Sequence, residues 1–129
     1  METKKRTITL TGRPPVKISE AEWPEIAVGS RHDYDGQYDF QANRTWRDSI
    51  RVRQHADGRA LVYGISDHDT KFQGERGYLY KAGRLLDPGA DIPAAIYEVA
   101  NHLVELGAPE LEMARVAEEC IADLPAEEI

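Results

Sequence analysis

The sequence predicts an α+β fold: an antiparallel sheet of three to five strands with a short N-terminal helix and a C-terminal two-helix hairpin packed on one face. Three observations carry this expectation. Several segments in the first two-thirds of the chain alternate apolar and polar residues and are separated by turn signals. Asp57-Gly58, the strongest short hairpin signature, lies between two such runs. Residues 91–124 instead repeat their apolar positions every three or four residues, the period of amphipathic helices. The length of 129 residues suits a single domain, with residues 1–6 and 126–129 expected to fray.

Thr7 to Thr11 alternates and is rich in β-branched residues, so it reads as a short strand. Gly12-Arg13-Pro14-Pro15 breaks it, and Val16 to Ile18 is extended. Ser19-Glu20-Ala21-Glu22 has the form of a capping box. It predicts a short helix that buries Trp23, Ile26 and Ala27, is distorted by Pro24 and ends at Gly29-Ser30. Residues 31–36 are polar and turn-like. Residues 37–43 alternate, with Tyr38, Phe40 and Ala42 on one face, and predict a half-buried strand.

Residues 49–66 predict a hairpin. A two-residue loop at Asp57-Gly58 pairs Ala56 with Arg59, Gln54 with Leu61, Val52 with Tyr63 and Ile50 with Ile65. Ile50, Val52, Leu61, Tyr63 and Ile65 then form the core face. Arg51 and Arg53 project from the other face beside Gly64 and Val62, with their guanidinium heads reachable. Residues 67–70 and 73–77 read as loops, and Tyr78-Leu79-Tyr80 as the last strand. Asp91 caps a helix with Pro93 in its first turn and a stripe of Ile92, Ile96, Val99, Leu103 and Leu106. Gly107 stops it and Pro109 opens a second helix. That helix is expected to bury Leu111, Ala114, Ala117, Ile121 and Leu124, with Met113 and Cys120 at its margins.

The formal net charge of −7 opposes general nucleic-acid binding, which needs a basic footprint. The charge is unevenly spread. Residues 41–59 hold five arginines and two acids, whereas residues 91–129 hold ten acids and only Arg115 to oppose them. The lone Cys120 excludes an intrachain disulfide and fits a reducing cytoplasm. No apolar run reaches the length of a membrane span, and no apolar segment follows Lys4-Lys5-Arg6 as in a secretory signal, so a cytoplasmic protein is expected.

Three constellations could carry function. His32 with Asp33 and Asp35, His55 with Asp57, and His68 with Asp67 and Asp69 place imidazoles beside carboxylates. Such donors can bind a divalent metal that activates water, which would make a metal-dependent enzyme. Their spacings match no ligand pattern, and Asp is common in turns for backbone reasons. No metal and no cofactor is therefore expected. Cys120 follows Glu118-Glu119, a setting that disfavours thiolate. The chain has no G-x-S-x-G elbow, phosphate-binding glycine loop or H-E-x-x-H pair, and is read as not an enzyme.

The second constellation is basic: Arg44, Arg47, Arg51, Arg53 and Arg59 with Trp46 nearby. A face of Arg44, Arg51 and Arg53 would suit a small nucleic-acid-binding or regulatory module, although the acidic terminal helices oppose it. The third is acidic, and it supports the leading expectation. Asp91, Glu98, Glu105, Glu112 and Glu119 recur every seven residues. A seven-residue step returns to nearly the same helix face, so Glu98 and Glu105 share one face and Glu112 and Glu119 another. Asp123 adds to the same field. Rows of carboxylates on a rigid hairpin can imitate a phosphate backbone to a basic protein groove, and the partner expected is such a surface.

The segments 8–16 (ITLTGRPPV), 23–27 (WPEIA), 40–45 (FQANRT), 52–60 (VRQHADGRA), 89–96 (GADIPAAI) and 119–127 (ECIADLPAE) resemble a group of small uncharacterised proteins carried by proteobacterial plasmids and integrative elements. The resemblance spans nearly the whole chain and brings no catalytic motif. Small acidic proteins of such elements include anti-CRISPR and anti-restriction inhibitors, some of them nucleic-acid mimics. By that analogy the resemblance implies an inhibitor of a host defence complex such as a CRISPR effector.

Overall fold

The computed structural model describes residues 4–126. In chain order the elements are β1 (Lys5–Ile8), β2 (Val16–Ser19), β3 (Glu25–Tyr34), a 3-10 turn (Asp39–Gln41), β4 (Arg44–Gln54), β5 (Ala60–Thr70), β6 (Tyr78–Leu86), α1 (Ile92–Leu106) and α2 (Glu110–Asp123). β1 and β2 pair as a small antiparallel hairpin, and β3-β4-β5-β6 form an antiparallel meander. The helical hairpin packs on one face of the meander, α1 against β5 and β6 and α2 against β3 and β4. The opposite face is covered at one end by Ile8, Leu10, Ile18 and Trp23, which pack with Leu61. The architecture is therefore α+β with six strands in two sheets. It differs from the expected single sheet, and the described residues contain no N-terminal helix.

The segment expected to be that helix is a single turn leading into a strand. Trp23 N–H donates to Ser19 O at 3.1 Å, which closes one turn, and the chain then extends as β3. Pro24 disfavours helical geometry at Trp23. β3 gains a hydrogen-bonded ladder with β4, bulged once between Glu25 and Ala27 and running on through residues 31–34 that the sequence suggested as a turn. Residues 37–43 are not a strand. The Asp35 carboxylate accepts from the Asn43 and Arg44 amides at 2.9 and 2.8 Å and folds this stretch into a loop. Ala42 is buried there, whereas Tyr38 and Phe40 are exposed and stack on each other.

The central hairpin forms, but its register is one residue from the expected one. His55 N–H donates to Arg59 O at 2.9 Å and Gly58 N–H to His55 O at 2.9 Å, giving a three-residue loop with Gly58 at φ 96°. Such a loop adds one residue through a bulge that glycine tolerates. Val52 consequently faces Val62, Ile50 faces Gly64, Arg51 faces Tyr63 and Arg53 faces Leu61. Ile50 and Val52 share the helix-side core with Ala60 and Val62, while Leu61 is buried on the other side and Tyr63 packs against that second core. The expectation of one apolar face fails because this end of the sheet is covered on both faces.

The helical hairpin is as expected in outline. Asp91 Oδ1 accepts from the Ala94 amide at 3.0 Å, and Ala108 N–H donates to Leu103 O after Gly107 at φ 126°. Its stripes are rotated from the expected ones. α1 buries Ala95, Ile96, Val99, Ala100 and Leu103, leaving Leu106 exposed. α2 buries Met113, Val116, Ala117 and Cys120, leaving Leu111 61% exposed. Gly29 explains the second rotation. A Cβ there would sit 2.1 Å from Val116 O and 2.7 Å from Cys120 N, so α2 approaches β3 backbone to backbone. Burial at this seam pushes the Cys120 thiol up to about 11.

Gly29→Ala should therefore cost at least about 3 kcal/mol, since neither backbone can easily yield. Gly74→Ala meets nothing within 4 Å and should cost only the left-handed backbone strain, about 1 kcal/mol. Urea unfolding of both variants measures the difference; equal midpoints would contradict the seam.

Candidate functional site

The acidic residues lie on the helical layer, but in two separate rows. Glu98 on α1 pairs with Arg84 of β6, and Glu105, one turn-pair on, lies beside His102 at 3.6 Å. Glu112 and Glu119 on α2 line an open groove with Arg31, His32 and Asp33 of β3 and with Arg115. β3 and β6 are the two edges of the meander, so the rows run along opposite margins of the layer. The outward surface also exposes Tyr97 and Leu111.

Two acids hold the fold as well as adding charge. Asp91 caps α1, and Asp123 Oδ2 accepts from the Val28 amide at 2.9 Å. Val28 lies on an edge strand, and the carboxylate satisfies a donor that would otherwise invite another strand. Asp123→Ala should cost about 1 kcal/mol through loss of this bond, with faster hydrogen exchange at Val28 as the specific sign. Unchanged exchange there would remove Asp123 from this role.

Spacing decides how well the rows could mimic a nucleic acid. Glu98 and Glu105 are separated by seven residues of rise, about 10 Å along the axis. A DNA strand presents a phosphate roughly every 3.4 Å of axis. Each row therefore reproduces about one phosphate in three. The layer supplies a field and a few point contacts, with Tyr97 and Leu111 available for apolar contact.

Arg44, Arg51 and Arg53 do not share one surface. Arg44 lies on the helix-side face, donating from Nε to Glu75 Oε2 at 2.9 Å and from Nη1 to Asp35 Oδ2 at 3.0 Å, with its guanidinium over the Phe72 ring. Arg51 donates to Glu25 Oε1 at 2.8 Å on the opposite face. Arg53 is 8% exposed, donating from Nε to the Tyr63 hydroxyl and from Nη1 to Trp23 O. The revised register sets Arg53 opposite Leu61, under the N-terminal hairpin, instead of leaving its head reachable beside Val62.

The three histidines are likewise apart. His32 meets the edge of Tyr34 on β3. His55 stacks at a tilt on Trp23, and its Nδ1 accepts from the Asp57 amide at 3.1 Å. His68 lies on β5, which runs on to Thr70 through residues expected to be a loop. Among the described residues no group of three or more His, Cys, Asp and Glu side chains is placed to hold a metal ion.

That extension of β5 assembles a network the sequence reading missed. Trp46 stacks on His68 with ring centroids 4.9 Å apart, His68 tilts onto Tyr78, and Tyr78 stacks on Tyr80. Asp48 is 2% exposed; it accepts from Ser66 Oγ at 2.5 Å and from Arg31 Nη1 at 3.1 Å. Burial pushes the Tyr78 phenol up. The signal available was alternation: Trp46 and Asp48 continue the Ile50/Val52 face, as Ser66 and His68 continue that of Val62. Ser66 and Asp48 are both enclosed, and the network forms a polar core at the sheet end.

No protein family matches the chain, and no characterised protein or solved structure is similar to it.

The Arg44 cluster generates a pH prediction. Its hydrogen bonds, then that from Thr70, hold the Glu75 carboxyl down at about 2. The folded value lies below the unfolded one, so this stabilisation is complete above the ordinary carboxylate range. It is lost as pH falls from there toward about 2. The Tm gap between the wild type and Glu75→Gln should shrink through that window. A gap that stays constant would contradict the pairing.

Proposed function

We propose that this chain is a non-enzymatic cytoplasmic inhibitor that docks its acidic helical layer on a basic, nucleic-acid-binding surface of another protein. The observation that supports it is the pair of carboxylate rows held on a rigid hairpin whose only Lys or Arg is Arg115. Long-range attraction from such a layer raises the association rate with a cationic groove. The sparse charge spacing favours a protein channel over strict phosphate mimicry, because exposed Tyr97 and Leu111 can add contact area there. The resemblance to proteins of mobile elements makes a host defence complex, such as a CRISPR effector, the target class. Among the described residues no helix is long and apolar enough to cross a membrane.

Charge reversal tests the reading. Glu98→Lys with Glu105→Lys alters the β6 margin, and Glu112→Lys with Glu119→Lys the β3 margin. Exposed glutamates typically cost within about 0.5 kcal/mol each; Glu98→Lys additionally faces Arg84. Each pair should slow association with the defence complex about tenfold and flatten its salt dependence. A folded quadruple variant that inhibits fully would rule the reading out.

A further inference from the structure

The face of the meander turned away from the helices is only partly covered. β1 runs over it, and a groove of about 190 Å³ lies between β1 and the strands beneath. Its walls carry three cations, Arg6, Arg51 and Lys81, and four hydroxyl-bearing residues, Thr7, Thr9, Ser49 and Tyr63, the last already accepting from Arg53 Nε, with no acid among the lining residues. The register explains the meeting: Ser49 pairs with Ile65 and Ile65 with Lys81, while Arg51 pairs with Tyr63, so all five share this face.

We propose that this groove binds a phosphate group borne by a nucleotide-sized ligand. The two arginines are held in place from outside the groove. Arg6 Nε donates to Glu20 Oε1 at 2.7 Å and Arg51 Nη1 to Glu25 Oε1 at 2.8 Å. Each guanidinium has five N–H donors, so one such bond leaves several for a ligand while fixing the fork. These two carboxylates offset the arginine charge, which leaves exposed Lys81 as the cation that sets the site's sign. Planar guanidinium forks and hydroxyls suit a tetrahedral oxyanion. The volume is below the roughly 300–1,000 Å³ of pockets that enclose a drug-sized ligand. It therefore fits a phosphate with the adjoining sugar edge and leaves the base outside, over the Ile65 side of the sheet. The proposal does not depend on the acidic layer, which lies on the other face.

Titration of the ¹⁵N-labelled chain with adenosine 5′-monophosphate tests it. The amides of Thr7, Thr9, Ser49 and Lys81 should shift together and saturate, while adenosine should leave them unmoved. Inorganic phosphate should compete with the nucleotide. Lys81→Glu, on an exposed position, should weaken binding at least tenfold, and Ser49→Ala severalfold, with the remainder of the spectrum unchanged. A 5′-phosphorylated oligothymidylate that binds more tightly than its unphosphorylated form would identify a nucleic-acid end as the source; binding of the mononucleotide alone would identify a free nucleotide. Equal binding of adenosine and its monophosphate, indifference to Lys81→Glu, or no shifts at these amides would overturn the proposal.

Discussion

The close seam between α2 and β3 sets the geometry on which the remaining features depend. Gly29 lets the α2 backbone lie where any side chain would collide with Val116 O. Gly64 makes room under α1 less strictly, since a Cβ there would press on the side-chain ends of Leu103 and Val99 at 3.0 and 3.1 Å and not on the helix backbone. With these two contacts fixed, Met113, Val116, Ala117 and Cys120 must face inward. Glu112, Glu119 and Asp123 then turn toward β3, while Glu98 turns toward β6. The positions of the carboxylates thus follow from two positions without side chains.

A second consequence is the division of the molecule into unlike faces. One face of the meander carries the helices and their acids. The other carries the N-terminal hairpin, Arg51, Lys81 and the groove beside β1. Both sheet edges are occupied near the core: Asp123 takes the Val28 amide on β3, and Thr11 exchanges hydrogen bonds with Gly83 on β6. Side chains and a loop at the edges protect the sheet from unwanted pairing and also tie the loop after β1 to the last strand.

The helical hairpin was legible because its signals are local: an Asp cap, a proline in the first turn and a glycine stop act within one turn of chain. The Asp57-Gly58 turn was legible for the same reason. Its register was not, because two-residue and three-residue loops both use Asp-Gly, and the choice rests on which side chains find cover. Ala60-Leu61-Val62 is buried on both faces, so alternation could not orient it. Ser19-Glu20-Ala21-Glu22 misled because its capping signal is satisfied by one turn, after which strand pairing with β4 outweighs helix propensity. For the candidate site, the heptad spacing gave the pairing of Glu98 with Glu105 and of Glu112 with Glu119. The separation of the two pairs to opposite margins depends on helix rotation, which for α2 follows from the backbone approach at Gly29.

An acidic layer that occupies a surface the partner otherwise uses for nucleic acid must compete with that nucleic acid. Mutual exclusion measures this most directly. The chain should be titrated against a defence effector holding fluorescent nucleic acid, and nucleic acid against the effector holding labelled chain, at low and high salt. The account predicts that each displaces the other, and that both bind more weakly as salt shortens the Debye length to a few ångströms, the nucleic acid more steeply because it presents more charges. Simultaneous binding of both, with neither altering the other's affinity, would contradict it.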